Sequence, residues 1–192
     1  RSTMAISAQS ARSLINADTA LILGVHPVVN CCDSVALEQL SAETGVPLFI
    51  DAVESVYESF RGRKVGGFGR AECFSLHASK LLNGFEGGYV TTNDEELAAR
   101  LVRIRGFGIY TPDNVVELGM NAKLNEIHAA MALAGLDSLD QQVADNRNRY
   151  RAYQRELAGL TGIRLVPFDE CERSGFKNIL VELTDEWPLG RE

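Results

Sequence analysis

Two short apolar runs on either side of a helical segment constrain the fold of this chain most strongly. Residues 20–25 and 46–50 each have the length of a buried strand, and the first is continuous enough to be buried on both faces. Between them, Asp33 or Ser34 can cap a helix that Gly45 ends. A strand, a helix and a second strand in this order predict a parallel pair with a right-handed crossover. We therefore expect an α/β protein.

The same kind of pattern continues toward the C terminus. Four further apolar or β-branched runs are predicted as strands: residues 71–76, 87–92, 163–166 and 179–183. Four segments with helical spacing or capping signals are predicted as helices: residues 4–16, 94–105, 124–134 and 138–158. In the third of these helices, Ile127 and Met131 belong to an apolar stripe that is expected in the core. Residues 106–119 contain many helix and strand breakers and are predicted as a loop.

Composition limits the classes of function that need to be considered. The 192 residues, 45% of them hydrophobic, suffice for one sizeable core and part of another. The net charge of −7 without a Lys/Arg cluster argues against nucleic acid as a partner. Four cysteines without CxxC spacing and three scattered histidines favour free thiols in a reducing compartment over a zinc site. No signal peptide or bilayer-length apolar run is present, so a cytoplasmic protein without membrane contact is expected.

A lysine just beyond the predicted strand 71–76 is the first candidate for chemistry. Lys80 comes five residues after Ser75 and is followed by Gly84, Gly87 and Gly88. A lysine that is stripped of water can act as an amine nucleophile and form a Schiff base with an aldehyde. Considered alone, Lys80 is more simply interpreted as a surface loop lysine. Whether Lys80 is a nucleophile or a surface residue therefore depends on the other polar residues near it.

Polar residues follow two strands of the predicted parallel sheet. Strand 46–50 ends at Asp51, which is either a site residue or a turn or cap residue. The next strand carries Ser75 and is followed by His77 and Lys80. Ligands of open α/β sheets bind beyond the carboxyl ends of the strands. A carboxylate can pair with a protonated ring nitrogen, a hydroxyl can bond a phosphate, and a lysine can bond an aldehyde. Pyridoxal phosphate presents all three of these groups.

Several motifs occur in series in segments 50–54, 62–66, 74–80, 86–88, 90–98, 105–108, 119–121 and 126–130. Together they resemble one known family, the DegT/DnrJ/EryC1/StrS sugar aminotransferases. The resemblance spans about residues 19–192. It implies a fold type I enzyme that uses pyridoxal phosphate. Its large domain would be a three-layer structure around a mostly parallel sheet, covering residues 1–140, with strand 87–92 antiparallel. Residues 141–192 would be a connecting helix and the start of a small α+β domain.

The resemblance also implies roles for individual residues. Lys80 would bond the cofactor aldehyde, Asp51 would pair with the ring nitrogen, and Ser75 would bond the phosphate. Asn121 would reach the phosphate in the neighbouring subunit, because sites of this family form at a homodimer interface, and the 106–119 loop would help to line that shared site. His77 is either a polar group near the cofactor or a buried histidine bonded to backbone. His26 and His128 are interpreted as structural.

Two departures from the family pattern matter. Glu54 stands where the family usually has Gln or His against the cofactor's phenolic oxygen. A carboxylate there requires a raised pKa, a cofactor held differently or altered catalysis, unless Glu54 is a solvated turn residue. In addition, the N-terminal segment with the family's phosphate-binding turn and ring-stacking aromatic residue is absent, as is much of the small domain. The chain, which starts with Arg1 and ends at Glu192, is therefore expected to be a fragment.

The expected activity is transfer of an amino group from glutamate or glutamine to a nucleotide-linked keto sugar, in deoxysugar biosynthesis. A dTDP-linked 4-keto-6-deoxyhexose is the narrower expectation. Two alternatives stay open. The first is a sugar dehydratase of the same superfamily, although these enzymes replace the lysine, so Lys80 argues against it. The second is a non-catalytic or truncated relative that serves in dimerisation or sugar-nucleotide binding.

Overall fold

The computed structural model describes residues 3–190, and Arg1, Ser2, Arg191 and Glu192 lie outside the described part. Helices and short strands alternate at the start of the chain, and further on several strands or helices follow one another directly. The helices are α1 (Ala8–Arg12), α2 (Ser34–Thr44), α3 (Glu95–Arg105), α4 (Glu126–Asp137) and α5 (Leu139–Leu157). The strands are β1 (Ile22–Val25), β2 (Leu48–Asp51), β3 (Ser59–Phe60), β4 (Arg63–Lys64), β5 (Ala71–Ser75), β6 (Gly88–Thr91), β7 (Ile109–Thr111), β8 (Asn114–Val115), β9 (Ile163–Leu165) and β10 (Val181–Leu183).

The central sheet has four strands in the order β1-β2-β5-β6. Strands β1, β2 and β5 run parallel, with Val25 opposite Asp51 and Asp51 opposite Cys73. Strand β6 is antiparallel to β5, with Ser75 opposite Gly88. The predicted parallel strand–helix–strand unit and the predicted antiparallel strand are therefore confirmed. The register also brings the carboxyl ends of β2 and β5 to the same edge of the sheet.

Helix α2 covers one face of this sheet. The Asp33 side chain caps its first turn by accepting a hydrogen bond from the Ala36 N–H at 3.0 Å, and Gly45 ends it with a left-handed φ of 71°. Asp33, not Ser34, is therefore the capping residue. Leu37 and Leu40 are fully buried and pack in the same core cluster as the sheet residues Ile22, Leu48 and Ile50. Burial of these aliphatic side chains is the main stabilising contribution to this layer.

The opposite face of the sheet is open in the part of the chain that the structure describes. Leu23 and Val25 of β1, Cys73 of β5 and Val90 of β6 all have exposed side chains on it. The expectation that β1 is buried on both faces is wrong for this chain, because no described element packs over Leu23 and Val25. All four cysteines are free, as predicted.

The C-terminal part packs back onto the sheet region through an aromatic cluster. Tyr150 of α5 lies edge-on to Phe168, with ring centroids 5.0 Å apart, and Phe168 lies 4.7 Å from Phe176. Val29, which follows β1, and Leu81, which follows Lys80, belong to the same buried cluster. The cluster therefore brings the segment before β10 close to the predicted site.

Some predicted elements differ from those observed. The predicted helix 4–16 is reduced to α1, and the predicted loop 106–119 contains the β7–β8 hairpin. The apolar stripe of α4 is not in the core, since Ile127 is 71% exposed and Met131 is also exposed, whereas Ala132 is the buried residue. Among residues 3–190, no helix combines the length and the apolar character needed to cross a membrane.

Candidate active site

Two of the predicted site residues lie on the open face of the sheet, near its carboxyl edge. Asp51 is the last residue of β2 and Ser75 the last of β5. Because Asp51 is opposite Cys73, and side chains alternate along a strand, Asp51 and Ser75 share a face. The Asp51 Oδ1 accepts a hydrogen bond from the Val53 N–H at 3.1 Å, and the Ser75 Oγ accepts one from the His77 N–H at 3.2 Å. Both side chains thus stabilise the turns that follow their strands.

The loop that carries Lys80 is tied to its neighbours by backbone hydrogen bonds. The Lys80 N–H donates to the His77 carbonyl at 2.9 Å, and the Gly84 N–H donates to the Leu76 carbonyl at 2.8 Å. A Cβ on Gly84 would lie 2.6 Å from the His128 carbonyl oxygen, so this position requires glycine. Leu81 and Leu82, directly after Lys80, are buried. The lysine therefore projects from an anchored turn.

Glu54 lies between two lysines. Its Oε1 accepts a hydrogen bond from Lys80 Nζ, and its Oε2 accepts one from Lys177 Nζ at 2.5 Å. The side chains of Lys80, Glu54 and Lys177 are 15%, 19% and 22% exposed. Shielding from water strengthens each of these ion pairs relative to a surface pair. Lys80 is therefore a paired, partly buried lysine, and its interpretation as a surface loop residue is wrong.

The charge of Glu54 follows from these contacts. Partial burial on its own raises the pKa of the Glu54 carboxyl, but hydrogen bonds from Lys177 and Lys80 outweigh it and hold the pKa below its ordinary value. A raised pKa was one of three alternatives for Glu54, and this structure shows the opposite direction, because Lys177 and Lys80 both donate to the carboxylate. Nor is Glu54 a solvated turn residue. The site carries an ionised carboxylate that is paired with two lysine side chains, one on each carboxylate oxygen.

Lys177 is the site residue that the sequence reasoning missed. It lies 123 residues after Glu54, in an irregular segment before β10, and no motif marks it. Next to it, the Glu58 carboxylate accepts hydrogen bonds from the Ser174 hydroxyl at 2.6 Å and the Gly175 N–H at 2.9 Å. Burial raises the pKa of Glu58, and these two hydrogen bonds oppose that effect. The sequence signal that could have indicated this packing is the aromatic residue Phe176, which belongs to the buried cluster.

His77 and Asn121 lie apart from this network. The His77 ring is about half exposed; its Nδ1 lies 2.8 Å from the Ser79 hydroxyl and accepts from the Ser79 N–H at 3.1 Å. It is bonded to backbone as one alternative expected, but it is not buried. Asn121 is exposed and forms an isolated bridge with Gly106. Within residues 3–190, Asn121 makes no hydrogen bond to the other predicted site residues, so its role stays a prediction.

His26 ends up buried beside the sheet edge, as its structural interpretation predicted. Its Nδ1 accepts a hydrogen bond from the Cys32 N–H at 3.2 Å. Burial lowers the pKa of His26 to about 4, although the Asp51 carboxylate nearby opposes the shift. His26 is therefore neutral at physiological pH. In the described part of the chain, no group of three or more His, Cys, Asp or Glu side chains is arranged to hold a metal ion.

The fold and the site define an α/β protein whose paired lysine lies beyond the carboxyl edge of a mostly parallel sheet. The model of the DegT/DnrJ/EryC1/StrS aminotransferase family matches residues 1–186, and the chain belongs to this family. The family that the sequence motifs indicated is thereby confirmed.

Named relatives include several sugar-modifying enzymes. The chain is 27% identical over 93% of its length to dTDP-4-amino-4,6-dideoxy-D-glucose transaminase of Shigella dysenteriae, and covers 48% of that protein. It is 31% identical over 82% of its length to GDP-perosamine synthase of Caulobacter vibrioides, and covers 43% of it. Among solved structures, DesI in the presence of its TDP-sugar product is 33% identical, with a TM-score of 0.89, 95% of this chain covered and 47% of the other. The chain thus spans about half the length of the proteins it matches, and the predicted fold class is confirmed.

Proposed function

We propose that this chain is the lysine-bearing part of a pyridoxal phosphate-dependent aminotransferase that acts on a nucleotide-linked keto sugar. The observation that carries the proposal is the position of Lys80. Lys80 is paired and partly buried. It follows β5, and Asp51 ends the neighbouring strand β2 at the same edge of the sheet. An acid, a hydroxyl and an amine at one sheet edge match the groups of this cofactor.

The residues at this edge fit the cofactor chemically. Asp51 would keep the ring nitrogen protonated, Ser75 would donate a hydrogen bond from its hydroxyl to the phosphate, and Lys80 would bond the aldehyde carbon. The open sheet face beside them also carries the exposed apolar side chains of Leu23 and Val25. When bound, pyridoxal phosphate supplies an electron-withdrawing ring that accepts the electron pair of a broken C–H bond.

The remaining chemistry rests on side chains of this chain. The amine of Lys80 would take up the proton of the donor's α-carbon and return it. Glutamate or glutamine is the proposed donor. Glu54 would balance the lysine charge during this cycle. Transfer of the amino group leaves the donor as a 2-oxo acid.

The names of the relatives support the substrate class. One is a dTDP-sugar transaminase, another makes a GDP-linked amino sugar, and DesI was solved with a TDP-sugar product. Their common feature is a sugar carried on a nucleoside diphosphate. We propose that substrate class for the whole protein, and a dTDP-linked 4-keto-6-deoxyhexose as the specific substrate.

We also propose that the whole protein is a homodimer with a shared site. Several large apolar side chains that remain exposed support this, since exposed apolar residues that cluster commonly mark interaction sites. They lie on the β7–β8 hairpin, the following loop and α4: Tyr110, Val115, Leu118, Ile127 and Leu133. Asn121 lies in the same stretch and would reach the cofactor phosphate of the other copy.

Reductive trapping of the cofactor tests the central role of Lys80. The chain is mixed with pyridoxal phosphate, reduced with borohydride and digested, and labelled peptides are identified by mass spectrometry. We expect label on Lys80, its loss in Lys80→Ala, and full labelling in the control Lys64→Ala, whose lysine is exposed on β4. Equal labelling of the wild type and Lys80→Ala would refute the assignment. Absence of any label on the wild-type chain would favour the non-catalytic alternative.

Product analysis tests the reaction in the whole protein. With a keto-sugar nucleotide and glutamate as substrates, transamination forms 2-oxoglutarate, whereas a sugar dehydratase does not. We expect stoichiometric 2-oxoglutarate and aminated sugar nucleotide, and neither product in Lys80→Ala. Consumption of the sugar without 2-oxoglutarate would contradict the proposed reaction.

A further inference from the structure

Glu54 is bound on both sides by ammonium groups from distant parts of the chain. Lys80 contacts Oε1, and Lys177 contacts Oε2 at 2.5 Å. The side-chain nitrogen Nδ2 of Asn178 also lies 3.5 Å from Oε2 of Glu54. Each carboxylate oxygen therefore serves a different lysine, and Lys177 does not compete with Lys80 for the same oxygen.

Lys177 is held in this position by its neighbours. Phe176, on one side, is buried in the aromatic cluster with Tyr150 and Phe168. Gly175 is fixed at both of its backbone polar groups, since its N–H donates to Glu58 at 2.9 Å and its carbonyl accepts from the Asn146 side chain at 3.1 Å. A Cβ on Gly175 would lie 2.6 Å from Leu81 Cδ2, so the segment packs directly against the residue after Lys80.

The arrangement has a consequence for the nucleophile. Lys80 must lose its ammonium proton before its nitrogen can attack a carbonyl carbon. Glu54 by itself would oppose this loss, because an adjacent carboxylate favours the charged form of a lysine. The loss would also leave a partly buried carboxylate without a partner, which is costly. A second lysine on the other carboxylate oxygen offsets both effects.

We propose that Lys177 is a positioning residue for Lys80, acting through Glu54. It orients the carboxylate and keeps it charge-balanced in the state in which Lys80 is neutral, and so allows Lys80 to become a free amine at lower pH. The role would serve the aminotransferase function proposed above. The contacts that support it, however, all lie within this chain.

Acetylation kinetics provide a test that needs no cofactor. The rate at which acetic anhydride acetylates Lys80 is measured against pH by peptide mass spectrometry, with the exposed Lys64 as an internal reference. In Lys177→Met, which keeps side-chain length and removes the charge, we expect the pH midpoint for Lys80 to rise by about one unit. That corresponds to a roughly tenfold loss of reactive amine at a given pH. Lys177→Arg should keep the wild-type midpoint, and Lys64→Met should not change it.

Repeating Lys177→Met in a protein that also carries Glu54→Gln distinguishes an effect through the carboxylate from a general structural role of Lys177. If Lys177 acts through the carboxylate, Lys177→Met should move the Lys80 midpoint by less than half as much in that background. Lys177→Gln provides a second neutral variant if the methionine variant is poorly folded by circular dichroism. An unchanged midpoint in folded neutral variants, or an equal shift with and without Glu54, would overturn the proposal. Failure to bind pyridoxal phosphate would instead refute the proposed function and leave this result unaffected.

Discussion

The buried carboxyl group of Glu72 should make the stability of this protein depend on pH. It is fully buried on the central strand β5, where its carboxylate accepts hydrogen bonds from the Gly66 N–H and, at 2.8 Å, from the Phe68 N–H. These bonds hold the loop between β4 and β5 onto the sheet. Burial raises the pKa of Glu72 to about 7 from an ordinary value of 4.5, although the two N–H donors oppose the shift.

The sign and size of the effect follow from proton linkage. Between pH 4.5 and about 7 the folded protein binds more protons at Glu72 than the unfolded chain does. The free energy of unfolding therefore falls as pH rises through this window, and the contribution is fully present only below it. At about 1.4 kcal/mol per pKa unit, the whole change amounts to about 3 kcal/mol. His26, whose pKa is lowered to about 4, gives the opposite slope between pH 4 and 6.5.

The assay compares wild type with Glu72→Gln, which cannot ionise. Urea unfolding is followed by circular dichroism at intervals from pH 4.5 to 8. His26 is present in both proteins, so its slope cancels in the difference between the two curves. We expect the variant to gain about 3 kcal/mol relative to wild type as the pH rises from 4.5 to 8, whatever its absolute stability. The control Glu170→Gln alters an exposed residue and should track wild type. Parallel curves for wild type and Glu72→Gln would refute the reasoning.

Two further changes test the capping and packing arguments. Asp33→Ala removes the side chain that accepts from the Ala36 N–H and should cost about 1 kcal/mol of unfolding free energy in urea, whereas Asp33→Asn keeps an acceptor and should cost less. Equal losses in both variants would contradict the capping role. Phe176→Ala opens the aromatic cluster and should cost about 3–5 kcal/mol, with raised protease sensitivity near Lys177, because Phe176 anchors that segment. Phe176→Leu, which fills most of the volume, should retain much of that stability, and a fully stable Phe176→Ala would show that the cluster does not anchor the segment.

Local signals in the sequence were sufficient for the sheet and for part of the site. β1, α2 and β2 lie within two residues of their predicted bounds, because short apolar runs and a capped helix are encoded by neighbouring residues. Asp51 and Ser75 end β2 and β5, and Lys80 follows β5, so their common edge could be inferred from parallel pairing alone.

Burial was harder to predict than secondary structure. The periodicity of α4 indicates an apolar face, but it does not indicate whether that face packs against the same chain or remains exposed. Ile127 was expected in the core and is exposed. Likewise, the apolar run of β1 predicted two buried faces, and Leu23 lies on an open one. An apolar side chain favours burial, but it is buried only where another element covers it. In the described part of the chain, only one face of the sheet is covered.

From the amino-acid sequence we could infer the order of the central-sheet strands along the chain, the parallel pairing, the lysine at the sheet edge and the family to which the chain belongs. The charge environment of that lysine became evident only in the folded structure. Glu54 was recognisable as unusual, but its ionised state depends on Lys177, which lies 123 residues later in a segment without a motif. The physical reason is that a carboxyl pKa is set by the charges and hydrogen bonds within a few ångströms, and distance along the chain does not reveal these. Folding of the aromatic cluster brings the second lysine to Glu54.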